Sequence, residues 1–186
     1  SEAEKLIKEL EDHVKRVEDR ARELIDELRK HVEEDERRAR KLIEELRRLL
    51  KEVKRMVDDN SSEEVVKRLL EEVRRLVEEI ERRARKSLES NKELVKEIRE
   101  RVTRLLESNR ELVRRIEEVL DRDLREDEDL VRRVRKVLRR SEEDVRRLIE
   151  EVERVLKRSE EESRRTIREV EEVLKEVERA VEELAR

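Results

Sequence analysis

His13, His31, Asp35 and Ser163 are the residues of this chain whose types could do chemistry. Imidazole, carboxylate and hydroxyl are the constituents of a serine-hydrolase triad. An imidazole with a carboxylate one helical turn away, as in His31 and Asp35, is the start of a metal site. Both readings fail on what they lack. A metal needs three or four converging ligands, and the chain has no Cys and only these two His. Acyl transfer needs an open cleft and backbone donors free to bind an oxyanion. With no Gly in the chain, and with these residues on helical repeats, the nearby N–H groups are already bonded within helices. No catalytic residue, metal ligand or cofactor is therefore expected, and no enzyme.

The elements that carry these residues are set by a repeat of eighteen. In the first third, Ala3, Ala21 and Ala39 recur in step with Leu6, Leu24 and Leu42, with Ile7, Ile25 and Ile43, and with Leu10, Leu28 and Leu46. Eighteen residues make five turns at about 3.6 per turn, so each side chain returns to the same angle on a straight helix, whereas a strict heptad would impose a supercoil. The apolar stripe is roughly 120° wide, the width of one core-facing side. Two columns break the pattern. One runs His13, His31, Leu49 and the next Val17, Asp35, Val53, placing polar residues at positions the repeat assigns to a core.

Composition narrows the class. Of 186 residues 58% are charged, and Gly, Pro, Cys, Phe, Tyr and Trp are absent. Evolved domains average about 7% Gly and 5% Pro, so their absence points to a designed sequence built of long helices. The 52 basic and 56 acidic residues are mixed along every segment, for a net charge of −4. Arg pairs such as Arg132-Arg133 and Arg146-Arg147 alternate with Glu142, Glu143, Glu150 and Glu151, and no aromatic is present to stack on a base. Neither nucleic acid nor membrane is an expected partner: no apolar run approaches the roughly 20 residues of a span, and no signal peptide is read at the N-terminus. Localisation is not encoded.

Two breaks divide the chain. Asp58 to Glu64 is the clearer, with Asn60 suited to a left-handed stop and Ser61 with Glu64 forming a capping box, as Ser1 does with Glu4. The second falls near Arg125 in a cluster of charge, although the eighteen-residue phase runs on from Ile116 to Val134. Three nearly equal helices follow, about 1–58, 62–121 and 127–186, each about 85 Å long. They predict an all-α fold: one straight, antiparallel, up-down-up three-helix bundle over residues 1–186.

The polar core positions fit that topology. With antiparallel pairing about Ser61, residues at one height on the first two helices have numbers summing to 122. About Arg125, those on the second and third sum to 250. Three layers satisfy both conditions: His13, Asn109 and Ser141; His31, Asn91 and Ser159; Asp35, Ser87 and Ser163. One repeat away the same positions are apolar, as in Leu49, Val73 and Val177. An unpaired buried donor or acceptor costs about 1–3 kcal/mol, so polar core groups are satisfied together or omitted, and a layer of them fixes which register the helices adopt. Ser90, Ser108 and Thr166 flank these heights.

On these repeats, Gly-free helices and isolated polar layers, the chain resembles de novo designed helical bundles with buried hydrogen-bond networks. The resemblance implies a structural scaffold without a substrate, monomeric and needing no partner. Some members of that family use buried His to respond to pH, which implies a similar response as possible for His13 and His31; the alternative to the scaffold is an interaction module, in which chains associate as a homo-oligomer, bind a partner helix, or change state with pH. A His held neutral by burial loses its stabilising effect as pH falls.

Overall fold

The computed structural model describes residues 2–122 and 128–184. They form three helices, α1 (Glu2–Asp58), α2 (Glu63–Arg122) and α3 (Glu128–Leu184), the all-α class expected. Nothing in their sequences interrupts a helix: the interiors lack Gly and Pro, and acidic residues open each first turn where the helix dipole favours them. The expected turn near Arg125 and the Ser1 cap lie outside the described residues.

The α1–α2 turn is built around Asn60, whose φ of 51° places it in the left-handed region. Its N–H donates to the Val57 carbonyl at 3.2 Å, and that of Ser61 reaches back to Met56 at 2.9 Å. These two bonds close a Schellman motif and satisfy carbonyls that the helix end leaves open. Ser61 therefore belongs to the end of α1. The predicted Ser61–Glu64 cap gives way to Ser62, whose carbonyl accepts from Val65 and Val66 as α2 begins. Asn60→Val should lower stability by about 1–2 kcal/mol, because a β-branched residue tolerates positive φ poorly, while Asn60→Gly should be neutral or better. Chemical denaturation of the two variants checks this.

The helices pack in two compact units, one from Ser1–Arg29 and Glu93–Val155, the other from Lys30–Lys92 and Leu156–Arg186. In the first, Ile7, Leu10 and Val14 of α1 meet Val113, Ile116 and Leu120 of α2 and Val134 of α3. Glu11 pairs with Arg133 and Arg29 with Glu151, both 122 residues apart, so α1 and α3 run parallel here. Asn109 with Ser141 and Arg99 with Glu153 show α2 antiparallel to α3. The second unit buries Leu46, Leu50 and Val53 against Leu70, Val73 and Val77 and against Val170, Val173 and Val177. Its seam pairs obey the same rules: Glu36 with Arg158 and Lys54 with Glu176 in parallel, Asn91 with Ser159 antiparallel. Each fully buried Leu or Ile contributes about 1.5–3 kcal/mol, and the charged pairs along the rim far less.

Candidate functional site

The polar residues of α2 are the best enclosed. In the first unit Asn109 and Ser141 are both fully buried, and Asn109 Nδ2 donates to Ser141 Oγ at 3.2 Å. In the second, Asn91 Nδ2 donates to Ser159 Oγ at 2.8 Å, again with both side chains buried. Ser87 donates to the Asp35 carboxylate, both half-buried. Ser163, expected in that same layer, instead donates to the Ala84 carbonyl at 3.3 Å.

The two histidines lie elsewhere than predicted. His13 is half-buried, and its Nε2 meets Ser108 Oγ at 3.1 Å rather than Asn109. Asn109 Oδ1 is consequently buried with no hydrogen-bond partner among the described residues. His31 is exposed, which corrects its assignment to a buried layer. The reason lies one residue on. The column of Leu10, Leu28 and Leu46 is fully enclosed and that of Val14, Val32 and Leu50 is buried, whereas His13 and Leu49 are half-buried and His31 exposed, which puts their column on the edge of the α1 stripe. An imidazole at an edge keeps its hydration at little cost, whereas drawing it inward would strip its polar nitrogens of water. His31, Asp35 and Ser163 therefore do not converge as a triad: one faces solvent, one holds Ser87, and one is bonded to backbone.

Sequence reasoning missed two charged features. Glu36 is 8% exposed, and one carboxylate oxygen accepts from Arg158 at 2.9 Å while the other, Oε1, is buried without a partner among the described residues. That hydrogen bond and the charge of Glu36 hold the Arg158 guanidinium even more firmly protonated than usual. The 122-residue spacing of α1 and α3 would have found this pair. In the first unit, the Glu18 carboxyl is pushed up to about 7, chiefly by burial, then by a side-chain hydrogen bond with Asp144 and by that group's charge. Of the flanking hydroxyls, Thr166 is buried and Ser90 exposed.

No group of three or more His, Cys, Asp or Glu side chains among the described residues is arranged to hold a metal ion. No described helix is long and apolar enough to cross a membrane. No protein-family model matches the chain, and neither does any curated protein. Among solved structures it is similar to one described as a "Computationally designed three helix bundle", with a TM-score of 0.60 over 99% of this chain and 90% of that one. The fold is a three-helix bundle. At 16% identity the likeness is one of backbone arrangement. The polar pairs of this bundle are accordingly read from its own residues.

Proposed function

We propose that residues 1–186 are a designed structural scaffold, a single monomeric bundle with no natural substrate, whose helix register is specified by buried polar pairs. The observation that carries this is the recurrence of one buried Asn–Ser hydrogen bond eighteen residues apart on α2, from Asn91 to Ser159 and from Asn109 to Ser141. Sliding either helix by a residue would strand an amide and a hydroxyl among aliphatic side chains, at about 1–3 kcal/mol for each group left unpaired. The Gly-free helical repeat supports a designed origin, as does the likeness in fold to a bundle that was itself computationally designed.

A second reading makes the molecule a pH-responsive module acting through His13. It is favoured by the contact of His13 with Ser108 next to an Asn109 whose Oδ1 has no donor among the described residues. His31, exposed, lends it no support. Light scattering after size exclusion, at neutral pH and near pH 5 and at two concentrations, separates the two. A mass of 22.9 kDa throughout is expected for the scaffold. A multiple of that mass at neutral pH would replace the monomer with an assembly, and a mass that changes only in acid would favour the module.

A further inference from the structure

In the second unit, ion pairs close two of the three seams between helices. Glu36 with Arg158 at 2.9 Å and Lys54 with Glu176 at 3.7 Å span α1 and α3, and Arg74 with Glu178 at 3.6 Å spans α2 and α3. Among the described residues no ion pair joins α1 to α2. The Asp35–Ser87 hydrogen bond fixes which residues share a height on this third seam. Its rim runs from Met56 beside Val65, through Leu49 beside Glu72 and Leu42 beside Glu79, to Arg38 beside Arg83. Leu42, Leu49, Met56 and Leu76 are only half-buried against the core. Val65 is 43% exposed, the one large apolar side chain so exposed among the described residues.

Charge on this rim is sorted along it rather than matched across it. Arg38 and Arg83 set like beside like. Arg38 is exposed with no ion-pair partner among the described residues, and Arg83 reaches only Glu79 of its own helix, at 2.7 Å. Such exposed pairs within one helix are worth about 0.3–0.5 kcal/mol, so a better-placed acid would take Arg83 over. Toward the turn the sign changes. Glu72, Asp58, Asp59 and Glu64 are exposed, and Asp58 ends α1, where the helix dipole disfavours negative charge.

We propose that this seam is a docking site for a separate amphipathic helix, acidic where it lies over Arg38 and Arg83 and basic where it reaches the turn. Arg38 to Met56 is a step of eighteen residues, five turns or about 27 Å, which sets the length of the partner. Leucines at helical spacing on the partner would cover Leu42, Leu49, Leu76 and Val65, whose apolar surface this unit leaves in part to water. Helices favour acids in the first turn and bases in the last, so such a partner runs in the direction of α1. The site goes beyond the scaffold reading and does not depend on it, since one copy of the chain presents the whole seam.

The test titrates the full chain into a fluorescein-labelled synthetic helix of eighteen residues, followed by anisotropy. This probe carries Leu at spacings of three and four, Glu in its first two turns and Lys in its last two. Saturable one-to-one binding is expected, with NMR shifts at the methyl groups of Leu42, Leu49, Leu76 and Val65. Arg38→Glu combined with Arg83→Glu, both at exposed positions, should weaken the probe about tenfold, as two attractions become repulsions. A second probe with Lys at both ends should show the opposite preference and bind that double variant more tightly than the native chain. Val65→Ser should weaken both probes. Failure of the first probe to saturate, methyl shifts centred on α3, probes that do not distinguish the two chains, or equal binding of a probe with Ser in place of Leu would each overturn the docking site. A mass above 22.9 kDa without any probe would give the seam to a second copy and overturn it as well.

Discussion

Leu46→Ala is expected to lower the stability of this protein by about 2–5 kcal/mol. Leu46 has no exposed surface and lies among Leu50, Val53, Val73 and Val77 in the second unit. Truncation removes the apolar atoms from their buried setting and leaves a cavity that rigid helices, free of Gly and Pro, close only in part. The denaturation midpoint should fall with an unchanged slope, because the surface exposed on unfolding stays nearly the same. Leu42→Ala is the control. Leu42 is half-buried at the edge of the same cluster and should cost clearly less. Equal losses at the two positions would mean that the core is not close-packed around Leu46.

Ser141→Ala should cost about 1–3 kcal/mol, although it deletes a single oxygen. Asn109 Nδ2 would lose its acceptor inside a fully buried site where Asn109 Oδ1 already has no partner among the described residues, leaving the whole amide unsatisfied. Asn109→Leu should be milder. The Ser141 hydroxyl it strands can turn back to a carbonyl of its own helix, an escape that an amide on the opposite helix does not have. Combining the two changes should recover most of the loss, since an apolar pair of suitable shape can match a satisfied polar one. A double-mutant cycle by chemical denaturation measures the coupling. Additive losses would show that the pair does not act as a unit, and would remove the main support for register control.

Much of this architecture is legible in the residues alone. The eighteen-residue columns identify the buried faces, since Leu10, Leu28 and Leu46 are all fully enclosed. Antiparallel numbering about Ser61 and Arg125 sets Asn91 opposite Ser159 and Asn109 opposite Ser141. The histidines are harder because a step of one residue, about 100° of rotation, carries a side chain from one margin of a stripe roughly 120° wide to the other. Val32 and His31 compete for the core at adjacent positions, and only packing decides between them. Glu18 and Glu36 offer no contrast in a chain that is 58% charged. Charge matching at a spacing of 122 would have found Arg158 for Glu36, but would have assigned Glu18 to Arg140 and missed Asp144. At the α1–α2 turn, Asn60 is legible from its tolerance of positive φ. The cap is displaced by one residue because Ser61 is already taken up in closing α1.

The spacing of the seam pairs also orders the steps of folding. In the first unit, Asn109 and Ser141 are 32 residues apart, whereas Glu11 and Arg133 are separated by 122. Closing the longer loop costs about 1 kcal/mol more in chain entropy, so α2 and α3 should zip together before α1 docks. In the second unit the short connection lies at Asn60, and Asp35 is 52 residues from Ser87 while Glu36 is 122 from Arg158. There α1 and α2 meet first and α3 arrives last. One chain thus starts from a different hairpin in each of its units, and α2 is the helix common to both nuclei.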